Sequence, residues 1–352
     1  MGYYPHMSKT VCMEEERQGM EPVGERFPLP RETRGMNVLT HANRSEPLAK
    51  GSPMNAQSKT DRVSTLRLLY PEWQGGVNPD YYLGAQVLAS IVPPDPRALV
   101  ARVPVSADPV DTDTEDGVVA EHALLRHLQS AQGILAEYRP RRVITLGGDC
   151  SVSLAPFDYL SGCYEEGLGV LWLDAHPDIS DPSNSTHLHE MVVSSLIGCG
   201  APHFMERLRH PIEPERIMYA GLICDKLRPQ DRMAIDLGIC AASPEALQES
   251  TKPVLDWVDE QDIRHVAIHF DLDVLDPDNF RSIYPAEPGL DRRTFGAAIG
   301  RMTMSQVGRI LRDVSAACDM VGLTVAEHLP WDAFNLRRML GSLPIFGSGN
   351  PA

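Results

Sequence analysis

From about Thr65 onward, short apolar runs alternate with longer amphipathic stretches. Such alternation marks βαβ units whose parallel strands are buried on both faces. The first run, Thr65-Leu-Arg-Leu-Leu-Tyr70, stops at Pro71 and predicts a strand. Further strands are expected at Ala98–Val103, Arg142–Leu146, Leu168–Asp174, Arg216–Leu222, His265–Asp271 and Val321–Val325. Helical spacing predicts helices over Val118–Tyr138, Pro244–Glu260 and Ser305–Cys318, the last opened by Thr303-Met-Ser-Gln306, a capping-box pattern. The fold expected is one α/β domain over residues 62–352, a mostly parallel sheet sandwiched between helices. Residues 1–61 are polar with no sustained period of 2 or 3.6, and predict a disordered N-terminal tail.

Composition narrows the partners. At 352 residues the chain suits one α/β domain with a wide sheet plus a tail. No apolar run approaches the length of a bilayer span, which argues against a membrane partner. A formal charge of −16 repels a phosphate backbone, and no Lys/Arg stripe overrides it, so nucleic acid is a poor partner. Acids gathered in one cleft would instead attract a cation, either a metal ion or a protonated guanidine. Seven cysteines are scattered without framework spacing, and the N-terminus lacks the order of a signal peptide, so a reducing, cytoplasmic setting is expected. Glu14, Glu15 and Glu16 argue against an acid-poor transit peptide.

The chemistry concentrates at two strand ends. Gly169-Val-Leu-Trp-Leu-Asp-Ala-His-Pro-Asp178 runs an apolar strand into Asp174, His176 and Asp178, which alternate and so can converge on one side of an extended chain. His265-Val-Ala-Ile-His-Phe-Asp-Leu-Asp-Val-Leu-Asp-Pro277 ends the same way with Asp271 and Asp273. In open α/β sheets ligands bind beyond the carboxyl ends of the strands, so these two ends would share a crevice. Four carboxylates that close repel unless cations neutralise them. Oxygen ligands with one imidazole suit Mn²⁺ or a similar ion, and bridging carboxylates suit a pair of ions roughly 3.5–4 Å apart. A lone Asp-X-His-X-Asp could equally be a loop cap or a surface cluster; its repetition at a second strand end favours metal.

Five ordered motifs between about Thr65 and Leu343 resemble the ureohydrolase superfamily of arginases and agmatinases: Gly147-Gly-Asp-Cys-Ser151, Trp172-Leu-Asp-Ala-His-Pro-Asp178, His187-Leu-His-Glu-Met191, Phe270-Asp-Leu-Asp-Val-Leu-Asp-Pro277 and Val325-Ala-Glu327. The resemblance implies an arginase-like three-layer αβα fold, a trimer or hexamer, and two Mn²⁺ ions. One ion would take Cys150, Asp174, Asp178 and Asp271, the other His176, Asp174, Asp271 and Asp273. It also implies that a hydroxide shared by the ions attacks the guanidinium carbon, with Glu327 pairing with the guanidinium and Asp178 passing a proton to the departing amine. His189 would shuttle protons, with His187 its local competitor. Urea and an amine would result.

The sequence departs from the family pattern at Cys150, where the family carries histidine. A thiolate is softer than imidazole and favours Zn, Fe, Co or Ni over Mn²⁺, while adding a negative charge that makes a shared water less acidic. Alternatively Cys150 is a small buried residue and no ligand, leaving a metal-poor pseudoenzyme with an assembly or sensing role. The loop Ile179-Ser-Asp-Pro-Ser-Asn-Ser-Thr186 is shorter than in arginases and places Ser180 where an asparagine holds the amino-acid head group. In Gly221-Leu-Ile-Cys-Asp-Lys226 only Asp225 remains as a candidate for the α-amino contact. Free arginine is therefore doubtful as substrate, and agmatine, another guanidino acid, another amidine or a formimino compound stay open.

Overall fold

The computed structural model describes residues 63–108, 112–343 and 345. The tail expected over residues 1–61 lies outside them. Eight strands form one sheet: β1 (Thr65–Tyr70), β2 (Leu99–Arg102), β5 (Arg142–Gly147), β6 (Leu168–Leu173), β7 (Ile217–Ala220), β8 (Cys240–Ala242), β9 (His265–Asp271) and β10 (Asp319–Ala326), while β3 (Thr114–Glu115) and β4 (Val118–Val119) make a separate hairpin. The order across the sheet is β2-β1-β5-β10-β9-β6-β7-β8. Every neighbouring pair in it is parallel. Strands β5 and β6 follow each other in the chain yet stand apart in the sheet, with β10 and β9 between them.

All six central-strand expectations are met to within a few residues, because each carries a run of apolar residues that a two-faced sheet buries. Along β6 the residues alternate between two cores: Val170 and Trp172 face one, Leu171 and Leu173 the other. The first face is covered by α2 (Glu121–Tyr138) and α3 (Leu154–Tyr164), whose Leu128, Leu135, Phe157 and Leu160 join that core. The second is covered by the helices Lys252–Glu260 and Met304–Ala317 through Val254, Trp257, Val307, Ile310 and Val314.

Helix ends differ from expectation where local backbone decides. Asp116 and Gly117 take φ of 46° and 95°, closing the β3–β4 hairpin, and Ala120 at φ 55° sets the helix start at Glu121 rather than Val118. The helix expected from Pro244 begins at Lys252, with Pro253 in its first turn. The capping box forms: Gln306 N donates to Thr303 Oγ1 at 3.3 Å and Thr303 N to Gln306 Oε1 at 2.6 Å. Helices Asp80–Ile91 (α1), α3 and Trp331–Gly341, and strand β8, were not read from the sequence. Among the described residues no helix is long and apolar enough to cross a membrane.

Candidate metal centre

The carboxyl ends of the four adjacent strands β5, β10, β9 and β6 deliver the cluster. Past β5 the chain turns at Gly148, where a Cβ would fall 1.6 Å from Glu72 O, so only glycine fits. Asp149 then caps a short 3₁₀ turn, Cys150–Ser153, by accepting from Ser151 N at 3.1 Å. Behind this turn lies a buried network: Ser151 Oγ donates to Glu72 Oε1 at 2.7 Å, and His127 Nδ1 lies 2.8 Å from Glu72 Oε2. Burial, with Glu72 beside it, pushes the Asp149 carboxyl up to about 7.

Cys150, Asp174, Asp178, Asp271, Asp273 and Glu327 are all buried, and His176 is partly open. The Cys150 thiol donates to Asp271 Oδ2 at 2.9 Å and lies 3.8 Å from Glu327 Oε1. Trp172 Nε1 donates to Asp174 Oδ2 at 3.0 Å and His176 N to Asp174 Oδ1 at 2.7 Å, which orients that carboxylate. His176 Nδ1 stands 3.2 Å from Asp273 Oδ2 and 3.4 Å from Asp174 Oδ1. Asp271 caps its own turn by accepting from Asp273 N at 2.7 Å. Tyr81, on α1, donates to Glu327 Oε2 at 2.7 Å. Asp178 and Glu327 both hold positive φ, 46° and 62°. That conformation is strained for residues with a side chain and persists where surrounding structure enforces it.

Burial first, and the neighbouring acids second, raise the carboxyls of Asp178, Asp271 and Glu327 well above the usual range. The same burial lifts Asp174 to about 6 and the Cys150 thiol well above its ordinary value. A set of like-charged groups forced together in low dielectric is what a multivalent cation relieves. The residues fit such an ion on a second count. His176 Nε2, Asp178 Oδ2 and Asp273 Oδ1 are buried without a hydrogen-bond partner. Ligand atoms of Asp174, His176 and Asp273 lie within 4.8 Å of one another, as do those of Cys150, Asp271 and Glu327, and those of Cys150, Asp174, Asp178 and His269.

The other expected residues are placed differently. His189 sits beside the cluster, its Nδ1 3.0 Å from Gly75 O, and burial lowers it to about 4. His187 neighbours it, with ring centroids 5.8 Å apart. Ser180 is fully buried, its amide bonded to Glu190 O, and its hydroxyl faces no polar partner. Asp225 is ion-paired with Arg301 at 2.8 Å on the exposed side. A cleft of ≈160 Å³ opens next to His176 and Pro177, with Lys226, Arg228 and Phe295 on its walls. Arg228 is committed to Glu190 and Asp231, whereas Lys226 makes no ion pair among the described residues.

Two residues of the site escaped the sequence reading. His269 belongs to the same alternation as Asp271 and Asp273 and could have been found by extending that alternation back into β9. Tyr81 could not, because 246 residues separate it from Glu327.

The family model described as "Arginase: Arginase family" matches residues 102–330. The chain belongs to the arginase family. Among curated relatives, an arginase from Entamoeba histolytica is 27% identical over 146 residues, 39% of this chain and 48% of that protein. An arginase from Coccidioides immitis is 32% identical over 154 residues, 39% of this chain and 47% of its own length. The match to these arginases thus spans about half of their length. Among solved structures, Entamoeba histolytica arginase in complex with L-ornithine aligns with a TM-score of 0.59 at 18% identity, covering 78% of this chain and 93% of that one. Formimidoylglutamase from Bacillus subtilis aligns at 0.56 and 12% identity, covering 78% and 82%. At such identities the structures establish a shared arginase-like fold.

Proposed function

We propose that this arginase-family chain is a two-cation hydrolase that splits the C–N bond of a guanidino compound, giving urea and an amine. The observation that carries the reading is the buried acid cluster at the ends of β5, β10, β9 and β6, with ligand atoms left unpartnered. Asp174, Asp271, Asp178 and Cys150 would hold one divalent ion, and Asp174, Asp271, His176 and Asp273 the other. Such a pair, Mn²⁺ or a softer ion drawn by the thiol, supplies Lewis acidity and makes a water acidic enough to act as nucleophile near neutral pH.

The chain's own groups bind, orient and move protons. Glu327 receives the planar guanidinium through two parallel charge-assisted hydrogen bonds, and Tyr81 fixes that carboxylate by donating to Oε2. Asp178, held at positive φ, would take the proton released by the attacking water and pass it to the departing amine. His189, tethered to Gly75 O, would pass to solvent the separate proton lost when a new water is activated for the next turnover. Lys226 beside His176 favours a substrate whose far end is an acid, hence a guanidino acid over agmatine.

The test is urea release from arginine, agmatine and short guanidino acids, each with Mn²⁺, Co²⁺, Ni²⁺ and Zn²⁺. Turnover of a guanidino acid is expected. Protein that carries metal yet releases urea from none of them would defeat the reading.

A further inference from the structure

His269 is fully buried on β9, on the same face as Asp271 and beside Trp172 of β6. Its ring lies flat on the Trp172 indole, with centroids 3.8 Å apart and planes 9° apart. Nδ1 is 2.8 Å from Ser153 Oγ, and Nε2 is buried without any hydrogen-bond partner. Cys150 and Ser153 open and close one 3₁₀ turn, where residues three apart eclipse, so both face β9. His269 offers a nitrogen within 4.8 Å of ligand atoms of Cys150, Asp174 and Asp178.

A core histidine normally satisfies both ring nitrogens, because a buried polar atom without a partner is an uncompensated cost. Here one nitrogen is held by a hydroxyl and the ring plane by an indole, while the other nitrogen is left without a partner beside a thiol and two carboxyl groups. An outer hydrogen bond on one nitrogen and a lone pair on the other is how metal-binding imidazoles are oriented.

Resting on the two-cation reading, we infer that His269 is a ligand of the ion held by Cys150, Asp174 and Asp178, which therefore sits on a thiolate, an imidazole and carboxylates. The imidazole that the Gly-Gly-Asp-Cys-Ser turn lacks at position 150 comes from the neighbouring strand instead. Ser153 and Trp172 are positioning residues for it. Sulfur and nitrogen donors together favour Zn²⁺ or Co²⁺ at this ion over Mn²⁺.

The full chain, stripped and reloaded with Zn²⁺, is the sample, read by X-ray absorption and by chelator competition. In His176→Asn protein with one equivalent of Zn²⁺, a sulfur at about 2.3 Å together with imidazole scattering is expected. Sulfur with oxygen only would overturn the assignment, and this arm leaves His269 untouched. In His269→Asn protein, affinity at the sulfur-containing site should fall by more than the roughly 10–100-fold that loss of an outer partner costs. Ser153→Ala should fall within that range. Unchanged affinity and spectrum in His269→Asn, with wild type binding two ions, would remove His269 and leave the two-cation reading standing. A wild-type chain that takes up no zinc would fail both.

Discussion

At the scale of single residues, the site's members separate by what each does to charge. Replacing Glu327 by Gln removes a carboxylate that would meet a guanidinium, and kcat/KM should drop by about 1.5–3 kcal/mol in transition-state binding, tens- to about a hundred-fold. Because Glu327 is one of several crowded buried acids, the same variant should melt no earlier than wild type after metal is stripped. Lys226→Ala should raise KM for a guanidino acid and leave agmatine unaffected; equal effects on both would remove the acid-tail assignment. Cys150→Ser keeps the size of a buried side chain and deletes the soft donor, so metal preference should move from Zn²⁺ toward Mn²⁺, measured by competitive loading. Five of these residues, Asp174, His176, Asp178, Asp271 and Asp273, were legible because alternation in an extended segment is a local property. His269 was passed over because a histidine inside an apolar strand reads as filler unless its parity is compared with the acids that follow. The Tyr81 contact depends on how α1 lies against β1 and β5, next to the residue that follows β10, which no local pattern encodes.

At the scale of elements, period and capping were sufficient where a segment is buried on a known face, and insufficient where turn conformation intervenes. Met304–Ala317 starts where the capping box says; Thr303→Ala should cost about 1 kcal/mol in denaturant unfolding without altering metal affinity. Its Ile310, fully buried against the second core, should cost about 2–5 kcal/mol as Ala. By contrast α3, which carries Pro156 in its first turn where a helix tolerates proline, was not read from the sequence. Strand β8, three residues long, is too short to show a period.

At the scale of the whole molecule, stability is coupled to pH and to cations. Asp149 rises to about 7 through burial and Glu72, and Asp174 to about 6 through burial and nearby acids, against 3.8 for each when free. Groups whose folded pKa is raised stabilise below the unfolded pKa and lose that contribution as pH rises through the folded value. His189, lowered by burial to about 4, works the other way below about pH 6.5, so the comparison belongs above that: metal-stripped protein should melt at a lower temperature at pH 8 than at pH 6.5. Divalent cations, binding the folded state alone, should raise the melting temperature, by about 2.7 kcal/mol of stabilisation at a hundredfold excess over Kd.

The sheet order carries one more consequence, for how the protein is made. Every expected ligand from Cys150 to Asp273 precedes residue 274, yet β5 and β9, which bear Cys150 and Asp271, are not neighbours: β10, made of residues 319–326, lies between them. Asp174, His176 and Asp178 follow β6, which pairs directly with β9 and so can meet Asp271 and Asp273 early, whereas Cys150 reaches them only when β10 wedges between β5 and β9. Capture of an ion by sulfur is in this way postponed until β10 has been made, and a nascent chain halted at Cys318 should bind metal through oxygen and imidazole donors without a metal–sulfur contact, although it already contains Cys150.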